Sequence, residues 1–300
     1  MAFWLLIIML AYFFFSLSSL GDKLILAGPA GPKSYTFYGG IIGISMVVLL
    51  PFIQLRWPTP TAFPWIIAES IIYLFGLYLM YSALEDFDVS KVAATMGAAM
   101  PIFVLGLTWV FLGERIIKPT NILALLLLIL GSFIISIGKK MKPTKGFLKI
   151  TLAASFVFAL DYVITKIVFL QEPFLLAFFW MRIFTFLFSL FLLLSKKNRR
   201  IIFGKKSFAN KKIMTILALT YAAGGAATLL QAFAISLTPP AFLPILNALR
   251  GIQYAFVFLI TLFLSIFLPK ILKEGISLRI VTQKIISIIF IASGLALLVL

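Results

Sequence analysis

Long apolar stretches separated by short polar punctuation run the whole length of the chain. Pro, Gly and Lys mark the interruptions, and they divide the sequence into ten apolar segments: 2–26, 35–54, 63–84, 90–112, 119–138, 147–169, 174–195, 213–236, 240–268 and 282–300. Each approaches the roughly 20 apolar residues that a membrane-crossing helix requires. Most connections are short. The longest, SKKNRRIIFGKKSFANK, has 17 residues and is basic throughout, so no soluble domain fits between the segments. The first run, AFWLLIIMLAYFFFSLSSL, has no basic residue before it and no small-residue cleavage site after it. It reads as a retained helix and not as a signal peptide.

The two halves echo one another. FSLSSLGDK (15–23) aligns with FALDYVITK (158–166), and YSALEDFDVSKVAATMGAAMP (81–101) with QAFAISLTPPAFLPILNALRG (231–251). The offsets, 143 and 150, are similar and occur in order. Five segments per copy is an odd number, so the copies cross the membrane in opposite senses, an arrangement typical of alternating-access transporters. The expected fold is an all-α polytopic membrane protein, ten transmembrane helices forming two inverted five-helix repeats over 1–140 and 141–300.

Composition supports the bilayer as solvent. The 300 residues are 63% hydrophobic and 12% charged, against about 45–50% and about 25% in an ordinary soluble domain. The net charge of +17 does not point to nucleic acid, because the basic residues sit in loops between apolar runs. It fits membrane orientation and contact with anionic lipid. Twenty Lys and Arg flank odd-to-even connections, and only Arg56, Arg115 and Lys118 flank the others. By the positive-inside rule both termini lie outside. Cys and His are absent, which removes thiol chemistry, the commonest metal ligand and the usual general base. No metal, cofactor or enzymatic activity is expected. No GxxxxGK[ST] loop is present, which argues against ATP drive within the chain.

The stretch YSALEDFDVSKVAATMGAAMPIFVLGLTWVFLGERI, with Ala83 before a short loop, a small-residue helix containing Pro101, Gly113-Glu114-Arg115 at its end and a Gly-bearing helix through Gly131, resembles the EamA-like branch of the drug/metabolite transporter superfamily. The second half matches less well: Ala234 fits, Lys273-Glu274 stands where the Gly-Glu-Arg ending would be, and Gly251 stands where the first copy has Pro101. The resemblance implies a solute carrier in the cell (inner) membrane with a central cavity walled by both halves, and with both termini in the cytoplasm. That last implication conflicts with the charge count, which is preferred here. It implies no particular substrate.

A charged side chain at mid-helix costs roughly 2.5–3.5 kcal/mol on insertion scales, so Glu69, Asp161, Lys166, Arg182 and Arg250 must face protein, water or each other. Residues three, four and seven apart share a helix face. Polar stripes follow: Tyr12, Ser16, Ser19, Lys23; Glu69, Tyr73, Gly76; Thr220, Gly224, Thr228, Gln231; and Asn247, Arg250, Tyr254. For the Ser and Thr residues the plain reading is interhelical hydrogen bonding. Arg250, Asp161, Asn247, Gln231, Tyr254 and Tyr73 are the expected substrate-binding residues, and Asp161 and Glu69 the proton-coupling ones. Arg250 either holds an anionic group of the solute or pairs with Asp161. Lys166, near its helix end, is expected to snorkel to the interface. Asp161 and Lys166 lie about 140° apart around the helix and need separate partners. Small residues at Gly39, Gly43, 93–98 and 222–227 favour close packing. Pro101 and Pro244 are candidate kinks that free carbonyls.

The expected function is a secondary transporter for a small-molecule or amphiphilic solute, with membrane lipids as surroundings. It works by alternating access, with proton coupling as an option, as a monomer with a dimer left open. The alternatives are a flippase for an anionic lipid-linked sugar, and a structural membrane protein or channel.

Overall fold

A computed structural model describes residues 3–25, 31–87, 89–114, 118–136, 146–203, 211–267 and 278–299. Arg115 and the Lys273-Glu274 pair lie outside the described residues, as does the side chain of Lys23. The described residues are helical, without strands: α1 (Phe3–Ile25), α2 (Pro32–Ile41) running into a 3₁₀ helix (Ile42–Phe52), α3 (Phe63–Asp86), α4 (Val89–Leu112), α5 (Pro119–Ser136), α6 (Phe147–Gln171), α7 (Phe174–Leu190), α8 (Lys196–Ile202), α9 (Lys211–Leu237), α10 (Leu243–Ala248), α11 (Gly251–Phe267) and α12 (Leu278–Val299). Among the described residues, seven helical stretches are long and apolar enough to cross a membrane.

The usual soluble pattern is turned inside out. Large apolar side chains such as Leu6, Phe75, Ile102, Val110 and Leu126 are exposed, whereas Ser16, Ser70, Ser132, Ser155 and Ser287 are fully buried. In lipid, exposed leucine costs nothing, and polar groups must find partners inside the bundle. The main core joins α1, α4, α5, α6, α9 and α10 through Ile8, Val104, Leu128, Val163, Ala234 and Leu246. In this bundle α1 lies along α9, α3 along α6, and α5 along α12.

The second apolar segment is not a simple α-helix. After Ile41 it tightens to 3₁₀ geometry for 11 residues, although such runs seldom exceed three or four. Local sequence weakens the α-helix here: Ile and Val are frequent, and Pro51 lacks an amide donor. Packing then decides the path. A Cβ on Gly43 would sit 2.3 Å from the Arg182 carbonyl oxygen, so only glycine lets this segment reach the α7 backbone.

The ninth segment departs further from expectation. It divides into a 3₁₀ turn (Pro240–Phe242), α10 and α11, broken at Leu249–Arg250. Pro101 lies within the uninterrupted α4, and Pro244 sits in the first turn of α10, where a missing N–H does no harm. Neither proline makes the break. At the break the amides bond three residues back: Arg250 N to Asn247 O at 3.1 Å, Ile252 N to Leu249 O at 2.9 Å and Gln253 N to Arg250 O at 3.0 Å. Carbonyls left over are taken by side chains from elsewhere. Tyr12 Oη donates to Leu246 O at 3.1 Å, and Ser132 Oγ to Ala248 O at 3.3 Å. Gly251 is required by this approach, since a Cβ there would lie 2.2 Å from Ser132 Oγ.

Two tertiary contacts mark the ends of the bundle. At one end Lys33 Nζ donates to Asn198 Oδ1 at 3.0 Å, and Tyr38 Oη to Ile202 O at 3.3 Å, which docks α2 on the basic α8. At the far end of the same segment, Arg56 pairs with Glu172 at 2.7 Å, Thr59 N donates to Glu172 Oε1 at 2.6 Å, and Trp180 Nε1 donates to Arg56 O at 2.9 Å.

Gly43→Ala should lower thermal stability in detergent by about 1–3 kcal/mol, because backbone must move to admit the methyl group. Gly106→Ala, with nothing within 4 Å of the new carbon, should be neutral or stabilising by up to about 1 kcal/mol. Equal melting temperatures for the two variants would contradict the packing described.

Candidate functional site

Polar side chains inside the bundle include two groups to which α6 contributes through consecutive residues, Asp161 and Tyr162. The first group lies toward the Arg56–Glu172 end. A rise of 1.5 Å per residue places Glu69 about 9 Å along α3 from its start. Arg182 of α7 forms an ion pair with Glu69, and both are buried. The guanidinium also stacks 4.4 Å from the centroid of Tyr73 and 5.6 Å from that of Phe178, contacts that favour a desolvated cation. Ser70 Oγ lies 2.9 Å from Met181 O and 3.3 Å from Glu69 Oε2, tying α3 to α7 beside the pair. Asp161 is within electrostatic reach of Glu69 and Arg182. Its Oδ1 is buried without a hydrogen-bond partner, as is Arg182 Nε.

The second group surrounds the break between α10 and α11. Tyr12, fully buried, stands about 14 Å along α1, near the middle of a hydrocarbon layer about 30 Å thick. Gln231 of α9 and Tyr162 of α6 lie beside its hydroxyl. Arg250 faces Tyr12, Tyr162 and Tyr254. Its guanidinium donates a hydrogen bond to the Met100 thioether, at 3.3 Å, a weak acceptor. No carboxylate pairs with Arg250 among the described residues. Tyr254 Oη donates to Ala93 O at 3.4 Å. Tyr162 Oη and Asn247 Oδ1 are buried and without hydrogen-bond partners.

The residues expected from the sequence thus divide. Tyr73, Glu69 and Asp161 come together, and Arg250, Gln231 and Tyr254 come together. The optional Arg250–Asp161 pairing is not formed, because the cation beside Asp161 is Arg182. Asn247 is buried in α10, one turn before Arg250, whose amide donates to its carbonyl at 3.1 Å. Glu69 is an ion-pair partner, not an isolated carboxylate.

Lys166 does not snorkel. It is buried, and its ammonium donates to the carbonyls of Ile235 at 3.1 Å and Ser236 at 3.0 Å. These belong to the last turn of α9, where unsatisfied carbonyls and the helix dipole favour a cation. The Ser and Thr stripes mostly turn inward on their own helices. Ser16 Oγ donates to Phe13 O, and Thr228 Oγ1 to Gly224 O; Ser19 does the same to Phe15 O while accepting from Gln253 Nε2 at 3.0 Å. Sequence reasoning gave Arg182 no role and passed over Tyr162, Ser70, Ser132 and Met100. The first was visible only as a deep charge. The others look like ordinary members of apolar or small-residue runs.

The chain is a polytopic helical membrane protein, apolar toward lipid and polar within. Residues 2–137 match the EamA-like transporter family, which identifies the first half with the branch of the drug/metabolite transporter superfamily that its motifs resemble. A protein crystal structure of 16% sequence identity shares the fold, with a TM-score of 0.70 over 97% of this chain and 94% of the other. No curated protein matches it in sequence.

Removing one partner of a buried ion pair costs about 3–5 kcal/mol, whereas replacing both by apolar groups is often near neutral. Arg182→Met should therefore melt well below wild type, and Glu69→Leu/Arg182→Met should recover most of the loss. A double variant as unstable as the single one would refute a structural ion pair.

Proposed function

We propose that the protein is a secondary transporter that moves a small or amphiphilic solute by alternating access between two inverted five-helix repeats, 1–140 and 141–300. The carrying observation is the ring of polar side chains drawn from both halves around a helix broken at mid-depth, where polar atoms remain without protein partners. Discontinuous helices at the interface of repeats are where such carriers bind substrate and coupling ions. The packing supports the repeat. Segment 1 lies along segment 8 as segment 6 lies along segment 3, and segments 5 and 10 pair with each other, as do 2 and 7. The α10–α11 stretch is already one of the seven long apolar stretches, and counting the α2–3₁₀ stretch, α5 and α12 as one crossing each completes ten. The contacts of Lys33 with α8, and of Arg56 with Glu172, then fall on opposite faces, as alternate crossings require.

Arg250, Tyr254, Gln231 and Asn247 serve the solute at the break. Tyr73 and Asp161 approach it from the other group. Asp161 is the proton carrier, because Arg182 is already committed to Glu69 and two carboxylates there share one cation. Glu69 completes the coupling as the partner that Arg182 releases or retains. The basic face of α8 lies toward the cytoplasm by the positive-inside rule, which leaves both termini outside in the cell membrane. A flippase reading draws on that same face: Lys196, Lys197 and Arg199 are exposed there, beside a membrane surface that holds anionic headgroups.

The test is a thermal-shift screen of metabolites, followed by uptake of the hits into proteoliposomes with and without a pH gradient. The wild-type protein should concentrate solute when the gradient is imposed. Asp161→Asn should lose gradient-driven accumulation at least tenfold while retaining solute exchange. Accumulation indifferent to the gradient would remove proton coupling, and activity confined to lipid substrates would favour the flippase.

A further inference from the structure

Among the described residues, Arg250 has no anionic partner. Its guanidinium offers five N–H donors, yet its hydrogen bond is to a thioether, and the groups within its electrostatic reach are three tyrosines. The other buried cations are spoken for: Arg182 by Glu69, and Lys166 by the end of α9. A permanent charge at this depth is costly unless something neutralises it. One feature of the break points to what that is. Tyr162, only 5% exposed, has its hydroxyl beside that of Tyr12 and within electrostatic reach of Arg250, and it completes no hydrogen bond of normal geometry. Guanidinium and hydroxyl donor both favour negative charge, and the phenol is a neutral donor of the kind that carboxylate oxygens accept.

The number of cations sets the charge of the ligand. One guanidinium matches one carboxylate, which it can hold through two parallel N–H bonds. A phosphate dianion or a pyrophosphate would leave charge unmatched, since no second free cation lies in the group among the described residues. The remaining surroundings suit an apolar body: Met100 is buried and adaptable, and the three tyrosines supply aromatic faces. We infer that the break between α10 and α11 is a binding site for the single carboxylate of an apolar organic acid, held by Arg250 and the hydroxyl of Tyr162. The inference names the solute class for the transporter reading above and rests on it for physiological meaning, but binding is measurable without transport.

Purified protein in detergent, at constant ionic strength, would be titrated with phenylacetate, octanoate, phenylacetamide, phenethylamine and phenyl phosphate, with thermal stabilisation as the readout. At least one carboxylate should bind tenfold or more tightly than the amide, the amine and the phosphate. Arg250→Met should abolish that preference, Arg250→Lys should retain part of it, and Tyr162→Phe should weaken the carboxylate several-fold without affecting the amide. Lys149→Ala, exposed on α6, should behave as wild type. Size-exclusion chromatography would report whether each variant is folded; if Arg250→Met is not, Tyr162→Phe carries the test alone. The inference is overturned if neither acid binds, if the amide binds equally well, or if folded Arg250→Met and Tyr162→Phe both keep the preference. Selective carboxylate binding without any transport would sink the carrier reading and leave this one standing.

Discussion

The hydrogen bond from Tyr12 to the Leu246 carbonyl carries more of this architecture than its single contact suggests. A helix can be broken inside a membrane only if the backbone groups it releases find partners within the protein. Tyr12 supplies one from α1, and Ser132 supplies another from α5. With these in place α10 can end and α11 can begin at mid-depth. Arg250 then sits at a turn and not on a continuous helical face. The polar group around the break therefore depends on a donor that arrives from the opposite end of the sequence.

The buried charges obey the same constraint by different means. Arg182 has a carboxylate, two aromatic rings and the backbone of the neighbouring glycine segment packed against its own. Lys166 uses the carbonyl end of α9 in place of an acid. Both cations thereby join neighbouring helices, α7 to α3 and α6 to α9. Among the described buried charges, Asp161 and Arg250 lack a dedicated opposite charge. Partner-free polar atoms occur beside Arg182 as well, at its own Nε, so ion pairing or carbonyl contact, and not complete hydrogen bonding, separates the structural charges from the groups available to a solute or a proton.

Close packing sets how the halves meet. Glycines at 43 and 251 admit backbone or a serine hydroxyl where any side chain would collide, and the long pairs α1–α9 and α3–α6 cross from one half to the other. The main core is consequently shared between halves and does not belong to either. Apolar contact surfaces of this kind have little directional preference, so relative sliding is opposed chiefly by the hydrogen bonds and ion pairs that cross them.

Hydropathy by itself determined the solvent, the helical class and the approximate limits of the segments, because spanning a bilayer imposes a length and an apolarity that can be read residue by residue. Short-range periodicity also grouped Glu69 with Tyr73, and Arg250 with Tyr254, since each pair is one turn apart. What the sequence could not decide was which partner each polar residue meets. Arg182 with Glu69, Lys166 with the α9 carbonyls, and Tyr12 with Leu246 are separated by 113, 69 and 234 positions. Nor could it locate the break, which prolines at 101 and 244 suggested in the wrong places. The break exists because distant donors satisfy its carbonyls and because Ser132 leaves room only for glycine at 251, and both are facts of tertiary packing.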